Sequence, residues 1–239
     1  MRKILPKKLK TTSIRKYTLY ALGEMFLIVI SLFLALQLNN LNEIRKNNKR
    51  IERYKVILMD DLKKDLKQIE LTKKQFQLQL DEIEDFRKRL NALTANVENL
   101  KEIVSEEFNP NTPAFVRYTR NTWEAMKSTG DVGLLEQEIL NGFNSLHEIQ
   151  SEEIFYQELS LSLHASLLEN YMQKYPTRTG LINQGSLYEK VWEHIDENDL
   201  ILSFNAMLTI KMGLLEGSLR YYDKIETETL ELMKLLKNE

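Results

Sequence analysis

The chain has 239 residues, with 33 lysines and arginines against 35 aspartates and glutamates, and a formal net charge of −2 at pH 7. This near-neutral balance argues against nucleic acid as a partner, and the absence of cysteine excludes disulfides and thiol chemistry. Because it contains only 8 glycines and 4 prolines, the composition predicts long helices.

The first predicted element is an apolar span at residues 19–38, with the sequence LYALGEMFLIVISLFLALQL. About twenty helical residues reach roughly 30 Å, the hydrocarbon thickness of a bilayer. Tyr20 at one border and Asn39 at the other suit the membrane interfaces. We therefore predict a transmembrane helix over residues 17–40. The alternative is a cleaved signal peptide, but the apolar run is long for one and no A-x-A-like site follows it.

Basic residues flank the span on both sides. Residues 1–16 contain cations and no acids, whereas the basic stretch at residues 45–55 also contains Glu52. The positive-inside rule therefore favours a cytoplasmic N-terminal segment at residues 1–16 and a periplasmic C-terminal domain, in a bacterial inner membrane. The basic stretch is expected to contact anionic headgroups of the lipid bilayer.

Glu24 places a carboxylate inside the apolar span, where a charge costs about a few kcal/mol unless it reaches water or a partner. One interpretation lets it reach the interface beside Arg15, Lys16 or Tyr20. The other is a contact with a second membrane helix, helped by the small residue Gly23. Gly23 and Glu24 are therefore the candidate partner contacts in the membrane.

Two short motifs bracket the span, YALGE at residues 20–24 and ALQLNN at residues 35–40, the latter followed by Asn42 and Glu43. The segment resembles the N-terminal signature of an uncharacterised family of bacterial single-pass membrane proteins, Y-A-I-G-E, an apolar run, then A-L-Q-I-N-N-W-N-E. Leu41 stands where the family has tryptophan. The resemblance implies an anchor followed by a helical extramembrane domain, and it supplies no catalytic residues.

After the anchor, we predict a juxtamembrane helical stalk at residues 41–60 and an extramembrane helical bundle at residues 61–239. Apolar residues at seven-residue spacing form a seam typical of coiled-coil packing. Asn109 and Pro110 are expected to end this first long helix. The seam consists of Leu62, Ile69, Phe76, Ile83, Leu90, Val97 and Val104, flanked by Leu66, Leu80, Phe86, Leu93 and Leu100.

The remaining elements are predicted from caps and periodicity. Thr112 and Pro113 predict the start of a short helix that ends at Gly130. A second long helix is predicted over residues 134–174, and its two apolar stripes place it at the centre of the bundle. A loop is predicted at residues 176–185. Two further helices are predicted after it: a short helix that begins with a capping box at Ser186 and Glu189, and the final helix, which begins at a cap near Asp196. The apolar face of the first short helix would contain Phe115, Trp123 and Met126.

Four polar residues interrupt the apolar pattern of the second long helix: His147, Gln150, Gln157 and His164. The two histidines are 17 residues apart, about 25 Å along a helix, so they cannot share one metal ion. We interpret all four as polar core layers, which fix helix register at some cost in stability. The alternative is a metal or proton site at one histidine.

A second candidate cluster consists of Glu193, His194, Asp196 and Asp199, which offer nitrogen and oxygen ligands for a metal. Carboxylates beside a helix start are more often caps, so we predict no metal site. Phosphate-binding loops and hydrolase signatures are missing from the sequence. We therefore predict no catalytic residues and no cofactor.

The sequence as a whole predicts an all-α protein, with a single N-terminal transmembrane helix followed by an antiparallel up-and-down helical bundle of long helices. We expect a non-catalytic interaction or scaffold component of the bacterial cell envelope, which binds another envelope protein or self-associates. The alternative is a periplasmic ligand-sensing or accessory domain that works with a separate membrane partner. Whether a small molecule binds is left open.

Overall fold

The structure is a computed structural model that describes residues 11–177 and 180–237. The predicted segment 1–16 and the predicted loop 176–185 therefore lie partly outside the described residues. All regular structure in the described ranges is helical, which confirms the all-α class. The chain divides between Tyr54 and Lys55 into two compact units.

The first unit contains the start of α1 (Thr11–Leu90) and the apolar span. Every side chain from residue 17 to residue 40 is exposed. The Ser31 hydroxyl, a polar group within this run, donates a hydrogen bond to the Leu27 carbonyl oxygen at 2.8 Å. The hydroxyl is thus satisfied inside the helix, as a hydrocarbon environment requires.

Two described helices, α1 and α6, are long and apolar enough to cross a membrane. The qualifying part of α1 is unburied and near the N-terminus, whereas α6 is partly buried in the second unit. Core helices and signal sequences meet the same criterion of length and composition. We interpret α6 as a core helix because its apolar side chains are covered by its neighbours.

The second unit contains the rest of α1 and all later elements. They are α2 (Val97–Glu102), a π-helical turn (Ile103–Glu107), α3 (Asn121–Thr129), a 3-10 turn (Asp131–Leu134), α4 (Gln137–Lys174), α5 (Ser186–Trp192) and α6 (Glu197–Leu235). The glycine predicted to end α3, Gly130, has a φ of 76° and lies in the left-handed region.

Contacts between the long helices fix their relative directions. Tyr156 on α4 donates a hydrogen bond to the Gly213 carbonyl oxygen on α6 at 2.7 Å. Nearer the end of α4, Lys174 pairs with Asp199 at 2.9 Å. The two helices α4 and α6 are therefore antiparallel. Contacts of α1 with α6 show the same opposite order, at Lys73 with Glu226, Phe76 with Tyr222, and Phe86 with the cluster around Phe204.

The predicted seam of α1 is buried at its seven-residue positions from Leu62 to Ile83 and at Phe86, whereas its flanking residues Leu66 and Leu80 are only partly buried. Its members contact the other long helices with little exposed surface, and the periodicity argument therefore identified the correct face. The buried seam residues are Leu62, Ile69, Phe76, Ile83 and Phe86.

The first long helix ends earlier than predicted, at Leu90, and α2 (Val97–Glu102) follows after a turn. Asn96 and Asn99 form a reciprocal capping box at the start of α2, with hydrogen bonds of 3.0 and 3.1 Å. Asparagine side chains compete for backbone groups in this way and favour helix boundaries over helix interiors. The prediction that Leu93 belongs to the seam is therefore wrong, since its side chain is fully exposed.

The helix at the centre of the second unit is α6 rather than α4. Buried residues recur along α6 from Leu200 to Leu232, whereas the outer face of α4 exposes Phe155, Leu159 and Leu163. One of the two apolar stripes predicted for α4 therefore faces solvent in part. The predicted start of α4 also shifts, because residue 134 belongs to the preceding 3-10 turn.

The starts of α5 and α6 differ in their caps. Asp196 accepts hydrogen bonds from the backbone of Asn198 and Asp199 at 2.9 and 3.1 Å, which confirms the predicted cap of α6. At α5 the cap is Gly185, with a φ of 82°, and within this described stretch no side chain caps the helix. The predicted capping box at Ser186 is therefore wrong, because a glycine conformation starts the helix instead.

Candidate functional site

Residues 108–120 form a non-helical segment of the second unit, and we call them the buried segment after its buried residues Phe108, Pro110 and Val116, although Asn111, Ala114 and Arg117 are exposed. The helix predicted to start at Thr112 is absent there, and α3 begins only at Asn121. Pro110 and Pro113 remove backbone donors, and β-branched and aromatic residues follow them. Backbone groups outside a helix need other partners when they are buried. The polar core of this protein supplies them.

Phe108 anchors the start of the buried segment. Its ring is 1% exposed and makes edge contacts with Phe86, Tyr171 and Phe204 at centroid distances of 6.4, 6.1 and 5.1 Å. These three partners come from α1, α4 and α6. One side chain thus joins all three long helices, with the favourable edge geometry of aromatic pairs.

The carbonyl groups of Asn109 and Pro110 each accept a hydrogen bond from a buried side chain. Lys211 on α6 donates from Nζ to the Asn109 carbonyl oxygen at 2.5 Å, and its ammonium lies 5.4 Å from the centroid of the Phe108 ring. Nε2 of His164 on α4 lies 2.9 Å from the Pro110 carbonyl oxygen, and because a carbonyl only accepts, Nε2 carries the hydrogen. Nδ1 of His164 is buried with no hydrogen-bond partner among the described residues.

Burial shifts the pKa values of both groups. It lowers the pKa of Lys211 to about 8, partly opposed by the charge of Glu82. It also lowers the pKa of His164, and the Lys211 charge acts in the same direction, while the bond to Pro110 opposes it. The neutral imidazole is therefore favoured beside a lysine in this part of the core.

A carboxyl and two phenols meet farther along the buried segment. Glu153 on α4 is 0% exposed, and Tyr118 of the segment donates to its Oε2 at 3.2 Å. The Tyr222 hydroxyl, which accepts from the Val116 backbone at 3.3 Å, is a second partner of this carboxyl. Burial raises the pKa of Glu153 to about 7, and the two phenols only partly oppose it.

Two aspartates of α1 bind the end of the buried segment and the start of α3. Both carboxylate oxygens of Asp65 accept from the Thr119 backbone, at 2.9 and 3.1 Å. Asp61 accepts from the Thr122 hydroxyl at 2.5 Å. Burial raises the pKa of Asp65, and its bonds to Thr119 act against the shift. Asp65 thus supplies an acceptor for the Thr119 backbone N–H, which has no helical partner, while Asp61 ties the first turn of α3 to α1.

The predicted polar residue Gln150 lies next to this end of the segment. Arg120 donates from Nε to Gln150 Oε1 at 3.2 Å. His147, one turn earlier, packs against Trp123 at a centroid distance of 5.4 Å, and Trp123 stacks on Phe143 at 4.6 Å. Burial lowers the pKa of His147 to about 4, so its imidazole is neutral at pH 7.

The structure thus places three of the four predicted polar residues against the buried segment or against α3: His147, Gln150 and His164. Gln157 is partly buried on the same side of α4. The sequence interpretation missed Glu153, although it lies three residues after Gln150 and four before Gln157 on the same stripe. That spacing is the signal that identifies it. Their role in fixing helix register stays a prediction.

Comparison with known protein families, curated proteins and solved structures finds no match. The candidate sites are therefore judged on their own geometry.

The second predicted cluster is engaged in local contacts. Nδ1 of His194 lies 3.0 Å from the Lys190 carbonyl oxygen, Asp196 caps α6, and Asp199 binds Lys174 and the Tyr175 hydroxyl. In the described ranges, histidine, aspartate and glutamate form no group of three suited to a metal ion. The cluster acts as caps and ion pairs.

A cleft of about 460 Å³ lies between the end of α1, α2 and α6. Its walls are mainly apolar and include Leu100, Phe204 and the partly exposed Ile201, while Asn205 and Thr209 add polar groups. Ligand pockets in proteins have volumes of about 300 to 1,000 Å³ and similar linings. The cleft is thus large enough for a small apolar molecule.

The predicted membrane contacts, Gly23 and Glu24, lie in the first unit. Both residues are exposed, and a Cβ added at Gly23 would meet no described atom within 4 Å. The surface around Gly23 is therefore open to close approach by another helix.

Proposed function

We propose that the chain is a membrane-anchored helical bundle that serves as an interaction or scaffold component of the bacterial cell envelope, without catalytic activity of its own. The observation that carries this proposal is the exposure of every side chain from residue 17 to residue 40. A continuous apolar surface of this extent is unusual on a soluble monomer and suits a bilayer. The resemblance of residues 20–43 to a single-pass membrane signature agrees with it.

In this proposal residues 1–16 are cytoplasmic and the second unit is periplasmic, because the leading cations carry no compensating acids. The second unit is an antiparallel up-and-down bundle. Contacts of α1 and of α4 with α6 support this arrangement, and the buried segment runs back between α1 and α4 in the position of a second helix. The polar core then holds the bundle together rather than performing chemistry.

Purification from membranes in a mild detergent, followed by a measurement of mass, tests this proposal. We expect the chain in the membrane fraction, in a complex with a stoichiometric companion or a second copy. Replacement of Glu24 by leucine together with Gly23 by leucine should reduce the recovered companion several-fold, because both changes alter the proposed helix contact. Leu32→Val, a change within the apolar run, is the control and should leave the complex intact. Recovery of a monomer alone, or of a protein outside the membrane fraction, contradicts the proposal.

The apolar cleft favours a second candidate function, a ligand-sensing or accessory domain that works with a separate membrane partner. A ligand that binds only the folded chain raises the unfolding midpoint, because it stabilises that state by an amount that grows with the logarithm of its concentration relative to its dissociation constant. We expect at least one apolar metabolite from a panel to raise the midpoint, and Leu208→Trp, which fills the cleft, to remove the effect. Absence of any shift across the panel contradicts the sensor function.

A further inference from the structure

The outer face of α4 combines exposed apolar side chains with negative charge. Phe155, Leu159 and Leu163 are 70%, 54% and 53% exposed. They are spaced four residues apart, so they share one face of the helix. This face is not needed for the core, because the buried residues of α4, among them Leu146, Gln150 and Tyr171, lie on the other side of the helix.

Acidic residues border this apolar stripe. Glu148 and Glu152 lie on the same face, seven and three residues before Phe155, and Glu158 and Glu169 lie beside it. All four are exposed. From Gln137 to Gln173 the helix contains neither lysine nor arginine, and its first basic residue is Lys174. The stripe is therefore an apolar site with a mainly acidic border, and one cation from outside α4 reaches this border at Ser151, where the Arg120 guanidinium donates to the hydroxyl at 3.4 Å.

We propose that this outer face of α4 binds a basic amphipathic helix of a partner protein, with apolar side chains at helical spacing and lysine or arginine on either side. The inference rests on the proposed interaction function and names the chemistry of the partner. An apolar helix face laid on an apolar stripe is a common mode of recognition. The acidic border selects cationic partners and speeds their association.

Charge complementarity argues against two other occupants of this face. A second copy of α4 would bring its own acidic border against this one, and like charges in contact are destabilising. Anionic lipid headgroups would be repelled for the same reason. A cationic amphipathic helix would be stabilised on this face both by apolar contact with the stripe and by attraction to its acidic border.

The test uses the full chain in nanodiscs of phosphatidylcholine and a fluorescent peptide of about 18 residues, long enough to cover the stripe as a helix. The peptide has leucines at positions spaced three and four apart, flanked by lysines. A second peptide replaces each lysine by glutamate, and empty nanodiscs measure binding to lipid. Fluorescence anisotropy reports the dissociation constant at low and high salt.

We expect the lysine peptide to bind and the glutamate peptide to bind at least about tenfold more weakly, a difference of about 1.4 kcal/mol. Phe155→Ser with Leu159→Ser should weaken binding by a similar factor, and Glu148→Lys with Glu152→Lys should also weaken it and remove its salt dependence. The control is Leu71→Ser with Leu78→Ser, which changes two exposed leucines on α1 and should leave binding unchanged.

Equal binding of both peptides, or unchanged binding to the Phe155 and Leu159 variant, overturns the proposal. The proposal is also overturned if the chain self-associates and the Phe155 and Leu159 variant does not, since the occupant of this face would then be a second copy. If the peptide does not bind but a companion still copurifies with the chain from membranes, the proposal that this face of α4 is the binding site is refuted and the proposed function is not. Binding of the peptide by a chain that shows no membrane companion refutes the proposed function instead.

Discussion

Replacement of Phe108 by alanine is expected to lower the free energy of unfolding by about 3 to 5 kcal/mol. The ring is 1% exposed and contacts an aromatic ring from each of the three long helices. Its removal leaves a cavity where α1, α4 and α6 meet and takes away the aromatic surface beside the Lys211 ammonium. Surrounding residues can fill such a cavity only in part, because it is enclosed by three helices.

The measurement is the midpoint of thermal unfolding of the full chain in mild detergent, followed by circular dichroism. A loss of this size corresponds to a fall of about 10 °C in a domain of this length. Phe155→Ala is the matched control, because it makes the same change at a side chain that is 70% exposed. Equal shifts for the two variants would show that Phe108 is not the anchor of the buried segment.

The second large effect is expected at Glu153, where glutamine should stabilise the protein at alkaline pH. Burial raises the pKa of this carboxyl to about 7 from its ordinary 4.5. The folded state therefore holds the proton more tightly than the unfolded state, and wild-type stability falls as pH rises from about 4.5 through 7. Glutamine has the same shape and no charge, so Glu153→Gln should gain about 3 kcal/mol over wild type at pH 8. Below about pH 4.5 the wild-type carboxyl is neutral as well and this gain is lost, which leaves only the pH-independent cost of burying the glutamine amide where Oε1 has no partner among the described residues.

Unfolding midpoints at pH 8 and pH 4.5 measure this difference. His147 and His164 also titrate in the acidic range, with lowered pKa values, but both variants contain them and their effects cancel in the comparison. Glu152→Gln is the control, because this neighbour is exposed. A Glu153→Gln variant less stable than wild type at pH 8 would show that Tyr118 and Tyr222 require a charged acceptor.

Periodicity predicted the helices that bury one continuous apolar stripe. The seam of α1 from Leu62 to Ile83 repeats every seven residues, and a helix with that pattern has only one face to bury. Asp196 and Gly130 were predictable for a similar reason, since a cap depends on its own few residues. These features are local in sequence.

Features that depend on distant contacts were not predictable in this way. Leu93 fits the pattern of the seam, but the Asn96 and Asn99 box starts a new helix and leaves this leucine in solvent. The buried segment has a plausible helix start at Thr112, yet its backbone binds side chains more than about fifty residues away, on Asp65, His164 and Lys211. The burial of Lys211 depends on the segment that it binds.

The buried segment also has a consequence for how the second unit loses its structure. A helix keeps its own backbone hydrogen bonds when a neighbouring helix moves away. The buried segment instead uses Asp65 of α1, His164 of α4 and Lys211 of α6, so departure of any one long helix leaves buried backbone groups unpaired. Each of the three long helices thus holds part of this backbone, and we expect the second unit to unfold as one cooperative body rather than helix by helix.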